Sequence, residues 1–413
     1  MIQTTVLVIG GGATGAGIAR DLALRGVDVS LVDRDGLDSG TTDRSHGLLH
    51  SGARYAETDR PSAEESIREN RILKEIAGEA VRETGGLFVQ LSEDDPDYFE
   101  KKRDACEEIG IPTEVVDGEE AKEIAPGLPD DVQRAFTVPD AITYPARLVA
   151  MNAADAREHG ADIYPHAPVE DMTVEGGRIT SVRVGGTVDD EIQPEYVVNA
   201  AGPWAGKIGK LAGVDINMFL SRGAMTAVKY DDLDVVLNRA REPSNADIVV
   251  PHESEVILGT TSVPIEDPDD YETEAEEIDE LRVKSAELLP DVEDAPELRT
   301  WWGVRPLYAP DGAGDGRDVS RDFFRLDHAE DGVENFVSAV GGKLTTYRQM
   351  AESTSDLVAE RLGVDAKSET ADRKLVGADD AERIDRFVEE FNAEGIADAN
   401  VIDDAEMPSP ADD

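Results

Sequence analysis

Thr5-Val6-Leu7-Val8-Ile9-Gly10-Gly11-Gly12-Ala13-Thr14-Gly15 is the stretch that decides the fold. The apolar run to Ile9 reads as a strand buried on both faces. Gly10 allows a tight turn out of that strand. Gly12 lets backbone approach a pyrophosphate, and Gly15 lets the following helix pack close to the sheet. A helix follows from Ala16 to about Arg25, with Ile18, Leu22 and Ala19 or Ala23 on one face. Gly26 ends it, Val27–Val32 is a second strand, and Asp33 closes that strand. The helix N-terminus offers free N–H groups and a positive dipole end to a phosphate. Asp33 lies 18 residues past Gly15, where a carboxylate bonds ribose hydroxyls and repels a 2′-phosphate. The unit therefore reads as a dinucleotide site for NAD or FAD rather than NADP.

The segments further out favour a flavin. Ser39 to Tyr55 is rich in Gly, Ser, Thr and His, and its small hydroxyls and backbone amides suit a ring system. Asn199-Ala200-Ala201-Gly202-Pro203-Trp204-Ala205 ends another strand in small residues, as contact with a large cofactor requires. Gly341-Gly342-Lys343-Leu344-Thr345-Thr346-Tyr347-Arg348 repeats the strand-to-helix turn. A helix N-terminus there can stabilise the negative charge of a reduced flavin.

Size and charge set outer bounds. With 413 residues the chain can hold two domains. It has no apolar run of transmembrane length, and its first residues lack a signal-peptide pattern. A cytoplasmic protein is expected, with any membrane association supplied by partners. The formal net charge is −50, from 90 acidic and 40 basic residues. Such a field repels nucleic acid and anionic membranes. It suits molar salt, where screening acts within about 3 Å. The single cysteine, Cys106, excludes an intrachain disulfide and any site built on several thiolates of this chain. It lies in a helix-like acidic stretch and reads as a packed thiol. His46 and His50 stand four apart, but no third ligand accompanies them, so no metal is expected.

The fold class is α/β: a Rossmann-like FAD-binding domain with a second, mainly antiparallel β domain for the substrate. Residues 1–85, 135–215 and 330–365 are expected to form the first. Residues 86–134 and 216–329 are expected to form the second, where short strands alternate with Pro- and Asp-rich turns. Residues 366–413 turn polar and read as an acidic, partly disordered tail.

The chain resembles the FAD-dependent glycerol-3-phosphate dehydrogenases, a branch of the D-amino-acid-oxidase-like flavoproteins, and most of all the large catalytic subunits of the anaerobic enzymes. The resemblance rests on Arg44-Ser45-His46-Gly47-Leu48-Leu49-His50-Ser51-Gly52-Ala53-Arg54-Tyr55-Ala56, Asn199–Trp204, Gly259-Thr260-Thr261-Ser262, Gly303-Val304-Arg305-Pro306-Leu307, Ser320-Arg321-Asp322 and Gly341–Arg348. These run in the family's order over roughly residues 5–365. The resemblance implies FAD as cofactor, held by Gly10, Gly12, Ala13, Thr14, Gly15, Asp33, Arg34, Thr41, Thr42, Ser45, His46, Gly47, Leu49, Val169, Ala201, Gly202, Trp204, Gly342, Lys343, Leu344, Thr345 and Thr346. It implies sn-glycerol 3-phosphate as substrate and a quinone as the final acceptor. Electrons would reach the quinone through iron–sulfur and membrane-anchoring partner subunits.

The residue chemistry suits that substrate. In so acidic a chain, a phosphate needs a local positive pocket. Arg54, Arg305 and Arg321 are the arginines within the matching motifs, and a guanidinium grips phosphate with two parallel bonds. Lys343 can hold a substrate oxygen or a flavin carbonyl. Alcohol oxidation needs a base with a pKa near neutrality; His50 is the candidate, with bonding to flavin or backbone as its alternative role. Tyr55 can position the substrate. A carboxylate substrate would also want arginine, so a hydroxy- or amino-acid oxidase is the competing reading. A non-catalytic FAD-binding scaffold is another. Two departures stand out. Gly223-Ala224-Met225 replaces a Gly-Ser-His turn found in some members, and the cysteine-rich C-terminal region usual in the anaerobic branch does not follow.

Overall fold

The structure, a computed structural model, describes residues 1–309, 322–393, 395–399 and 401. Strand β1 (Ile2–Ile9) lies between β2 (Val29–Val32) and the strand Asp190–Asn199, parallel to both. Alternation across the pleat explains its unbroken apolar run. Val6 and Val8 join the core under the helices, while Leu7 and Ile9 join a second core on the opposite face. Helix α1 (Ala13–Leu24) packs on the first face against helices Pro145–Glu158 and Tyr347–Leu362. Among the described residues this sheet has eight strands, extended by Asp162–Tyr164 on one side and by Val169–Glu175 and Arg178–Val184 on the other. Phe336–Gly341 pairs with Asp190–Asn199 and carries Phe323–Asp327.

A second sheet of nine strands among the described residues stands over the C-terminal ends of the first. Its longest pairing is antiparallel, Met218–Lys229 with Glu297–Tyr308. Glu255–Gly259, Ile248–His252 and Val236–Arg239 extend it, and Gly86–Leu91, Val132–Val138 and Val115–Asp117 complete the far side. Two expected boundaries shift. Val132–Val138 runs wholly within this second sheet, past the boundary at 134, and Phe323–Asp327 belongs to the first sheet, not the second.

The region after 366 departs further from the sequence reading. Helix Ala381–Phe391 buries Ile384, Phe387, Val388 and Phe391 in the core shared with α1. Those positions follow the spacing of one helix face, set among charges that make the stretch look polar. The chain beyond is stitched to the loop that follows β2. The Leu37 amide donates to the Phe391 carbonyl (3.2 Å). Asp43 accepts from the amides of Ile396 (2.7 Å) and Ala397 (3.1 Å), and burial pushes its carboxyl up to about 6. Residues 402–413 of that expected tail lie outside the described residues, as does Arg321.

Candidate functional site

The C-terminal ends of the first sheet open into a cleft of 1220 Å³ that reaches under the second sheet. That exceeds the roughly 300–1,000 Å³ of ordinary small-molecule pockets. At one end the turn after β1 is laid bare of side chains. Gly10 has φ +108°, and a Cβ there would lie 2.6 Å from the Ala200 carbonyl oxygen. A Cβ on Gly15 would lie 1.8 Å from the Gly10 carbonyl oxygen, so α1 approaches its own turn with no room to spare. Asp33 stands at the end of β2, its Oδ2 accepting from the Gly11 amide (2.6 Å) and its Oδ1 from the Asp35 amide (2.9 Å). Burial holds its carboxyl above the usual range, and these two amides oppose that. Asn199 fixes the neighbouring strand end, donating to the Ala205 carbonyl (3.0 Å) and Ser338 Oγ (3.1 Å) and accepting from the Ala201 amide (3.3 Å).

The other end is lined by charged and aromatic groups. Arg54 and Tyr55 come from the short turn Ala53–Tyr55, whose Arg54 carbonyl accepts from buried Lys102 (3.5 Å). Lys102 is also held 2.7 Å from Glu57. Arg305 reaches in from Glu297–Tyr308, its Nη2 donating to Thr260 Oγ1 (3.0 Å) and to the Thr261 carbonyl (2.9 Å). Lys343 follows Phe336–Gly341; its Nζ donates to Ser62 Oγ (3.0 Å) and stands 5.1 Å from the centre of the Tyr55 ring. The His50 ring meets Tyr55 edge-on at 5.6 Å and His46 at 6.2 Å. Burial pushes His46 down to about 4, and the charges of Arg305 and Arg54 push the same way. A neutral imidazole thus sits beside the two arginines.

The structure brings most of the expected site residues into this one cleft. Gly10, Gly12, Ala13, Thr14, Asp33, Arg34, Thr41, Thr42, Ser45, His46, His50, Arg54, Tyr55, Val169, Ala201, Gly202, Trp204, Arg305, Gly342, Lys343 and Leu344 all line it. Gly15, Gly47, Leu49, Thr345 and Thr346 do not; they support the walls. Leu49 lies in a small sheet with Ala141–Thr143, and the Gly47 carbonyl beside it accepts from the Thr143 amide (2.6 Å). Thr345 Oγ1 accepts from the His50 amide (3.0 Å), and Thr346 Oγ1 accepts from the Lys343 amide (3.3 Å). Sequence reasoning missed the loop Glu242-Pro243-Ser244-Asn245, which also lines the cleft. It reads as an ordinary polar turn, and no local signal marks it. Arg34 and Trp204 close the outer rim, with Arg34 stacked 4.1 Å over the indole and both bonded to Asp269 (3.0 and 2.7 Å). Among the described residues no group of three or more His, Cys, Asp or Glu side chains is placed to hold a metal, and no helix is long and apolar enough to cross a membrane. Cys106 is buried, which pushes its thiol up to about 12.

A glycine-bared turn at a helix N-terminus, a carboxylate at the end of β2 and a cleft this long together fit an extended dinucleotide. Residues 5–357 match the FAD dependent oxidoreductase family. The chain belongs to that family. Its cofactor is FAD. It is 52% identical to the A1 subunit of the anaerobic glycerol-3-phosphate dehydrogenase from Haloferax volcanii, over 94% of this chain and 69% of that protein. It is 45% identical to the corresponding subunit of the anaerobic glycerol-3-phosphate dehydrogenase from Escherichia coli K12, over 91% of this chain and 70% of that one. Among solved structures, a glycerol-3-phosphate dehydrogenase from Bacillus halodurans complexed with FAD superposes with a TM-score of 0.69 at 24% identity, over 94% of this chain and 71% of that one. This flavoprotein's fold is thus that of the wider family. The abundance of acid agrees with the halophilic origin of the Haloferax relative.

Proposed function

We propose that this FAD-dependent oxidoreductase converts sn-glycerol 3-phosphate to dihydroxyacetone phosphate and passes the electrons to a quinone through partner subunits. The observation that carries the reading is the convergence of Arg54, Arg305 and Lys343 on one cleft in a chain of net charge −50. A phosphate monoester bears nearly two charges, and paired guanidinium forks match its oxygens. FAD, when bound, supplies the hydride acceptor. The chain's own residues do the rest. Arg54 and Arg305 bind the phosphate, Tyr55 and Lys343 orient the carbinol, and His50 accepts the hydroxyl proton. His46, kept neutral, adds no further positive charge beside the arginines. The names of the relatives support both the substrate and, because each is named as one of several subunits, an assembly with other chains.

The test is anaerobic. Protein purified in high salt and loaded with FAD is mixed with sn-glycerol 3-phosphate while the visible flavin band is followed. The band is expected to bleach with glycerol 3-phosphate and to persist with glycine or lactate. Bleaching by an amino or hydroxy acid alone would replace the phosphate reading with the carboxylate one.

A further inference from the structure

Asp247 precedes the strand Ile248–His252, does not line the cleft, and is 1% exposed. A buried carboxylate needs partners, and this one has three of interest. Its Oδ1 accepts from Arg241 Nε (2.9 Å), with Arg241 Nη2 also 2.9 Å away. Its Oδ2 accepts from the Ser244 amide, which fixes the cleft-lining loop. The same Oδ2 faces Arg54 Nη2 at 3.9 Å. The backbone is pinned as well, since the Asp247 carbonyl accepts from the Arg239 amide (3.0 Å). Behind it the charges alternate. Arg241 reaches Glu287 (3.2 Å), Glu287 pairs with Arg239, and Arg239 pairs with Asp94 (3.0 Å).

The 3.9 Å separation is the informative quantity. It is too long for a hydrogen bond and close enough for strong attraction in a buried setting. Asp247 therefore draws on Arg54 without occupying its donors, because Arg241 on Oδ1 and the Ser244 amide on Oδ2 hold the carboxylate back from it. Arg54, with its side chain 21% exposed, keeps donors for an anion in the cleft. We infer that Asp247 is a positioning residue for substrate phosphate: it holds the Arg54 guanidinium in place by charge while Arg241 keeps it from closing onto that guanidinium. The inference rests on the reading of the cleft as a phosphate site.

The experiment measures KM for glycerol 3-phosphate and the competitive Ki of inorganic phosphate in FAD-loaded enzyme. Asp247→Asn is expected to raise both together, about tenfold, with kcat and flavin content changed less than about twofold. In an Arg54→Ala background the same substitution should add nothing. Arg241→Gln gives an independent arm. With Arg241 gone, Asp247 is free to pair directly with Arg54, and the phosphate Ki is again expected to rise about tenfold. Unchanged Ki in Asp247→Asn, or an equal loss with Arg54 absent, overturns the inference. If Asp247→Asn does not fold, an unchanged Ki in Arg241→Gln overturns it instead. Failure of Arg54→Ala itself to raise the Ki overturns the phosphate reading of the cleft, a separate result.

Discussion

The Gly10–Gly15 turn and the Arg54–Arg305 pair build one cleft by opposite means. At the turn, the wall is backbone, and what matters is the absence of side chains: a single Cβ on Gly15 would lie 1.8 Å from a carbonyl oxygen. At the arginines, the wall is made of long charged side chains, each steadied by groups from elsewhere in the chain. Arg305 is tied to Thr260 and Thr261, and Arg54 is drawn by Asp247. The first kind of site cannot be weakened by degrees, because its geometry is also the geometry of the fold. The second can be altered one charge at a time while the fold stands.

Three substitutions test that contrast. Gly15→Ala should have the largest effect. Backbone cannot yield at a 1.8 Å contact, so the loss of stability should exceed about 4 kcal/mol and the protein should be recovered without flavin, read by absorbance and thermal melting. A yellow, fully stable Gly15→Ala protein would break the contrast. Arg305→Ala should come next. Flavin content should hold, while KM for glycerol 3-phosphate rises roughly 10²–10³-fold in steady-state assays. Loss of flavin together with activity would show that the two ends are not separable.

The smallest effect concerns pH, at the seam between the ends. His252 is fully buried beneath Gly47, and burial pushes its imidazole down to about 3, with the charge of Arg299 acting in the same direction. A folded pKa below the unfolded value gives stability that is complete above about 6.5 and is lost as pH falls toward the folded value. Asp43 has the opposite sign. Its raised carboxyl gives stability that is present below about 3.8 and is lost as pH rises through about 6. Thermal melts between about pH 6.5 and 4 should therefore show a shallower acid loss in His252→Asn than in the parent. An unchanged slope would mean that His252 is not the group being charged.

The same contrast governs what could be read from sequence. A backbone requirement is written locally: Gly10, Gly12, Gly15 and Asp33 announce themselves by spacing, because each answers to neighbours within one βαβ unit. The arginines are recognisable only through their motifs, since 40 basic residues offer many equivalent candidates. Their supports are not legible at all. Asp247 is one of 90 acidic residues, and its role depends on Arg54, far away in the chain. Lys102 reaches the Arg54 carbonyl from another helix in the same way. The helix Ala381–Phe391 was readable in principle, through Ile384, Phe387, Val388 and Phe391, but Asp and Glu between them disguise its apolar face.

That helix and the strand of chain after it bear on how the protein is made. Leu37 and Asp43, in the loop that follows β2, are bonded to Phe391, Ile396 and Ala397. The helix α1 that follows the glycine turn packs against Tyr347–Leu362. At ribosomal speeds of roughly 5–20 residues per second, those partners emerge roughly 20–80 s after the glycine turn itself. The surroundings of the glycine turn are therefore complete only once those later residues are in place. Flavin capture therefore waits on residues as distant as Ala397, although β1 has its neighbours β2 and Asp190–Asn199 well before then.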